Sequence, residues 1–165
     1  MRTALACLCA LLASPALAVD DCLEGRWQVD TGDIARVLAD QMSAAASYVS
    51  GGVTMQIARD GAITMLVRDL TITVEVADVP PMDVVVNGAS RGSLTAENGG
   101  WTLTVTDYSL EGSANVMGSE LTIPFNAASG MFGGGSGSYA CDGDLLTFDS
   151  LGPSSRLPRR WSRAR

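Results

Sequence analysis

Any catalysis by this chain would have to rest on carboxylates and arginines. The sequence has no histidine and no lysine, which removes Ser–His and Cys–His pairs and every lysine-based mechanism. Of four cysteines, Cys7 and Cys9 fall in a leader, so only Cys22 and Cys141 remain. In an oxidising compartment these two should pair, leaving no thiol nucleophile and no zinc site of the usual type. The carboxylate pairs on offer are Asp142 with Asp144 and Asp20 with Asp21. Asp142-Gly143-Asp144 reads as a hairpin turn and lacks the further ligands of a calcium loop. The run from Gly133 to Ser138 has no following Lys-Ser/Thr and opens no helix, so it does not read as a phosphate cradle. No enzymatic activity, metal or cofactor is expected.

Residues 1–18 read as a secretory leader. Arg2 gives a positive start, Thr3 to Leu12 an apolar core, and Ala16-Leu17-Ala18 a small-x-small cleavage site, placing the mature start at Val19. The chain is therefore expected in the periplasm or secreted. The 147 residues left suit one domain with its own core, and no other stretch is apolar enough for stable membrane insertion. From Val19 to Asp149 all 18 acidic residues stand against five arginines, whereas residues 150–165 carry five arginines and no acid. A net charge of −13 on residues 19–149 opposes binding of nucleic acid. The expected layout is a β-domain over 19–149 followed by an Arg-rich segment over 150–165.

Gly25 to Asp30 reads as a first strand. The apolar spacing then changes to three and four, predicting an amphipathic helix from Ile34 to Val49 with Asp30 and Asp33 at its front and Gly51-Gly52 behind. From Val53 the period is two. A loop at Arg59-Asp60-Gly61 pairs Ile57 with Ile63, Met55 with Met65 and Val53 with Val67. Leu70 to Val76 and Val84 to Val86 read as further strands. Asn98-Gly99 pairs Ala96 with Trp101, Leu94 with Leu103 and Gly92 with Val105. Leu110 to Val116 pairs with Leu121 to Phe125, and Ser138 to Cys141 with Leu145 to Phe148. Nine or ten antiparallel strands usually close on themselves or fold into two layers. The fold class is all-β, an antiparallel barrel of about eight to ten strands with one helix after the first strand; a two-sheet sandwich is the alternative.

Gly25-Arg26-Trp27, the Tyr139-x-Cys141-x-Gly143-Asp144-x-Leu146 segment and Trp161-Ser162-Arg163 together resemble the lipocalin-like, or calycin, group, and within it the uncharacterised secreted bacterial lipocalin-like proteins. Thr106-Asp107-Tyr108 also matches a motif of that group. The resemblance implies that Trp27 packs at the closed end of the barrel against Arg163, or against Arg159 or Arg160. It also implies a small apolar molecule inside the barrel, with the helix as a lid. The residues expected to line that interior are Met42, Met55, Ile57, Ile63, Met65, Ile72, Trp101 and Leu103. A carboxylate head group would need Arg26, Arg68 or a tail arginine, and these read as exterior. The competing expectation is a non-catalytic envelope module, structural or protein-binding, with a packed core. For the glycine-rich loop, closure over a barrel mouth and docking to a partner through Met131-Phe132 both remain open.

Overall fold

Asp30 ends the first strand and starts the only helix among the described residues. Its side chain accepts from the backbone N–H groups of Gly32 and Asp33 at 3.0 and 3.1 Å, the capping geometry that satisfies donors at a helix start. A computed structural model of the chain describes residues 19–78, 80–116, 118–128, 130–152 and 157–165, without the side chain of Met42. The expected leader, residues 1–18, lies outside the described residues. The elements run β1 (Gly25–Val29), α1 (Thr31–Met42), β2 (Ala45–Ile57), β3 (Ala62–Glu75), β4 (Met82–Glu97), β5 (Gly100–Tyr108), β6 (Glu111–Val116), β7 (Ser119–Pro124), β8 (Gly135–Asp142), β9 (Leu145–Ser150) and β10 (Arg160–Arg163).

Eight strands close into an antiparallel barrel in the order β1-β2-β3-β4-β5-β8-β9-β10, with β10 pairing back onto β1. The sandwich is excluded. Arg160–Arg163 is one of the staves, held between β1 and β9. Asp33 ties α1 to it, accepting from the backbone N–H of Arg160 at 2.7 Å. The two hairpins expected from Arg59-Asp60-Gly61 and Asn98-Gly99 form in the expected registers.

Three expectations are corrected. The helix stops at Met42, with Ser43 left-handed at φ 50°, because the alanine-rich stretch after it pairs with the end of β3 as a strand. Pairing along a whole strand outweighs the few tenths of a kcal/mol per residue by which alanine favours helix. The strand expected at Leu70 is the second half of β3, bent at Asp69. The short strand at Val84 is the first half of β4, bent at Gly88.

These bends line up across neighbouring strands. β2 turns at Gly51 (φ 84°), β3 at Asp69 (φ 47°) and β4 at Gly88 (φ 126°), and the Asp69 N–H donates to Asn87 Oδ1 at 2.8 Å. A Cβ on Gly51 would stand 2.0 Å from the Asp69 carbonyl oxygen, and one on Gly88 2.2 Å from that of Ser109. Both positions need glycine. Below the bends lies the barrel. Above them the first half of β2, the second half of β3, the first half of β4, β6 and β7 continue as a five-stranded wing.

At the closed end Trp27 is fully buried, its indole N–H donating to the Leu23 carbonyl at 2.9 Å. Of the three arginines considered, Arg163 is the one that covers it. Cys22 and Cys141 form a disulfide at the same end.

Candidate functional site

The expected lining residues come together, but in a packed interior. Met55, Ile57, Ile63, Met65, Ile72, Trp101 and Leu103 all belong to one core cluster and are 0–4% exposed. A void able to admit water or a ligand gives the side chains around it accessible surface, and Met55, Ile57, Met65 and Ile72 have none. The Met42 side chain lies outside the described residues. Trp101 turns its indole N–H to the Ser138 carbonyl at 3.0 Å and its edge to Phe148, ring centroids 5.5 Å apart.

The glycine-rich loop supplies part of the filling. Met131 and Phe132 are both fully buried, with the Phe132 ring 6.4 Å from that of Trp161. Two hydroxyls hold the loop down. Ser90 Oγ, on the inner face of β4, donates to the Phe132 carbonyl at 2.9 Å, and Tyr108 Oη to the Met131 carbonyl at 2.8 Å. Burial pushes the Tyr108 phenol up to about 12. Of the two open readings of this loop, docking to a partner through these two side chains does not fit, because both are spent inside. Thr106-Asp107-Tyr108 continues β5, with Asp107 paired to Arg91 at 2.6 Å and Tyr108 anchoring the loop.

Above the bends the inner face stays apolar while its cover thins. Register and burial place Ala46 and Tyr48 of β2, Leu70, Ile72 and Val74 of β3, Met82, Val84 and Val86 of β4, Ala114 of β6, and Leu121 and Ile123 of β7 on one side. Val76 follows directly on the end of β3. Leu70, Ile72 and Val86 have no exposure at all, whereas Tyr48, Val76 and Leu121 are 37%, 45% and 51% exposed. The same surface therefore runs from sealed core to open edge. We call this open end the mouth.

α1 packs on β2 beside it, burying Ile34, Val37 and Leu38. One turn further along the same stripe stands Gln41. Its Nε2 is buried with no hydrogen-bond partner. An amide left in that state costs about 1–3 kcal/mol, which a ligand or water carrying an acceptor would recover.

Sequence reasoning missed this mouth and Gln41. The polar residue at the helical spacing Ile34, Val37/Leu38, Gln41 was the available signal. The carboxylates weighed for chemistry stand elsewhere: Asp142 and Asp144 flank the β8–β9 turn, and Asp20 accepts a hydrogen bond from Tyr139 Oη. Glu75 and Glu111 are exposed. Among the described residues no group of three or more metal-ligating side chains gathers, and no helix is long and apolar enough to cross a membrane. The disulfide points to an oxidising compartment. No family model, curated protein or solved structure matches the chain, so its likeness to lipocalins rests on an eight-stranded antiparallel barrel with one helix after the first strand.

Proposed function

We propose that this protein is a non-catalytic extracytoplasmic binding module that takes a small apolar molecule at the mouth between α1 and the inner face of the wing. The molecule carries at least one hydrogen-bond acceptor, which meets Gln41 Nε2. The observation that carries this reading is the apolar face running from buried Ile72 to half-open Tyr48, Val76 and Leu121, together with an orphaned amide on the helix that packs on β2. Small-molecule sites have this composition, mostly apolar with a few placed polar groups. The packed lower barrel then serves as the rigid base that holds the mouth in shape.

The test is native mass spectrometry of the disulfide-bonded protein from its own compartment, with uptake of an environment-sensitive apolar dye. A defined adduct, lost on denaturation and lost in Tyr48→Arg and Leu121→Arg variants that melt normally, is the expected result. A bare chain that also ignores the dye would overturn it.

The rival reading, a packed interaction module, is favoured by the fully buried Met55, Met65, Met131 and Phe132. Of the surfaces such a module could use, Met131-Phe132 is internal, while in the C-terminal segment Arg159 pairs with Asp149, Arg160 with Asp30 and Asp33, and Arg163 with Asp144.

A further inference from the structure

Nine arginines lie among the described residues, and their pairing is uneven. Arg36, Arg59, Arg91, Arg159, Arg160 and Arg163 each hold a carboxylate within 4.0 Å. Among the described residues the terminal Arg165 holds none, and within residues 19–149, which carry 18 acids against five arginines, neither do the guanidinium groups of Arg26 and Arg68. Both line the same groove.

That groove, about 240 Å³, runs over the outer wall of the barrel just below the bends and is lined by Arg26, Gln28, Gly51, Gly52, Thr54, Leu66 and Arg68. The register explains the convergence. Arg26 and Gln28 on β1 stand opposite Gln56 and Thr54 of β2, while Gly52 and Thr54 of β2 stand opposite Arg68 and Leu66 of β3. Gly52 therefore lies between the two outer strands without a side chain. A Cβ there would come 3.1 Å from Gln28 Nε2, so the amide of Gln28 lies over bare backbone at the floor. Among the described residues the side chains of Gln28 and Thr54 make no hydrogen bond, which leaves an amide and a hydroxyl beside two guanidiniums without a carboxylate.

We propose that Arg26 and Arg68, with Gln28 and Thr54 over the Gly51-Gly52 floor, form a binding site for a phosphate monoester group on the outer wall of the barrel. Two fixed positive charges match a dianion, and guanidinium forks match the oxygens of a phosphoryl group. A single carboxylate would leave one fork unused. A long polyanion is excluded by the acidic remainder of the body. The group therefore belongs to a small phosphorylated molecule or to a lipid head group such as phosphatidic acid. The site is separate from the mouth and stands whether or not the mouth binds anything.

The test uses the mature disulfide-bonded chain, residues 19–165, titrated with inorganic phosphate and glycerol phosphate and followed by backbone amide shifts. It also uses flotation with vesicles of phosphatidylcholine alone and with phosphatidic acid. Saturable shifts at Gln28, Gly51, Gly52 and Thr54 are expected. Arg68→Gln should weaken binding by about ten-fold or more, and Arg26→Gln combined with it should abolish binding while leaving the melting temperature unchanged. Saturable binding of the soluble phosphates without vesicle recruitment would assign a free phosphate ester; recruitment only by phosphatidic acid vesicles, lost in the double variant, would assign a head group. Absence of both, or equal binding by the double variant, would overturn the site.

Discussion

The Arg163 guanidinium lies over the face of Trp27, its carbon 4.3 Å from the ring centroid, and donates to the Glu24 and Cys22 carbonyls at 3.0 and 3.1 Å. Gly25 makes this possible, because a Cβ there would stand 2.6 Å from Arg163 Nη1. The Gly-x-Trp signature thus has a local physical meaning: the glycine admits the arginine that covers the tryptophan. Arg163→Lys keeps the charge but loses the planar fork. It should cost about 1–3 kcal/mol in denaturant unfolding and shift Trp27 emission to the red. An unchanged midpoint would make the stacking incidental.

The same corner carries the Cys22–Cys141 disulfide, which spans 119 residues and joins the segment before β1 to β8. Opening a loop of that size enlarges the unfolded ensemble, at a typical cost of about 2–4 kcal/mol. For a chain of this length the melting temperature should fall by roughly 5–15 °C on reduction. Thermal melts with and without reductant, alongside thiol titration of the native protein, measure it. Free native thiols together with an unchanged melt would remove the staple.

Tyr139 donates to Asp20, and burial first, then that carboxylate, pushes its phenol up to about 12; Tyr108 reaches about 12 by burial alone. An unfolded tyrosine ionises near 10. Below pH ~10 both states hold the proton and the contribution is complete. As pH rises from ~10 to about 12 the unfolded chain releases protons that the folded chain keeps, so stability falls across that window. Denaturant midpoints from pH 8 to 12 should show the decline, and Tyr139→Phe should make it shallower. Phenolate absorbance should show Tyr108 and Tyr139 ionising late; their titration near the ordinary value would contradict the burial of these two.

How much of this was legible follows the distance over which residues communicate. The hairpins at Gly61 and Asn98-Gly99 were readable because turn and alternation lie within about ten residues, and Ile57–Ile63 and Ala96–Trp101 pair as expected. The bends at Asp69 and Gly88 were not, because Arg68-Asp69 and Asn87-Gly88 look locally like turns; only the aligned neighbours make them kinks in continuous strands. The helix end misled for the same reason, since Ala45 and Ala46 continue a run of alanines yet pair with Glu75 and Val74. Seven of the eight residues expected to line the interior, all but Met42, fall in one buried cluster. That Phe132 joins the same core cluster depends on a loop far from β2 and β3 in sequence, and no periodicity reports that.

Phe132 sits at φ 60°, a conformation costly for a bulky side chain, and is held by Ser90 and by the ring of Trp161. Phe132→Ala should lose about 3–5 kcal/mol through the void it leaves. It should also expose Trp161 to quenchers and admit a small apolar dye to the lower barrel. Ser90→Ala removes only one of the loop's two anchors and should reproduce the quenching weakly. If Phe132→Ala behaved like the parent chain in all three respects, the loop would not be filling the barrel.

Gln41 offers the sharpest separation of the two readings of the mouth, because binding and stability should move in opposite directions. An amide nitrogen buried without a partner destabilises the empty protein, so Gln41→Leu should raise unfolding free energy by about 1 kcal/mol or more. With an acceptor-bearing ligand in the mouth the amide is satisfied, and the same change should weaken binding of a carbonyl-bearing fluorophore by about ten-fold. Binding of its carbonyl-free analogue should hold steady. If Gln41 were a packing position alone, Leu would change both probes alike. A stabilised variant with selective loss of the carbonyl probe therefore reports a polar contact made to the ligand and absent from the free protein, which no rearrangement of the filled barrel beneath it would produce.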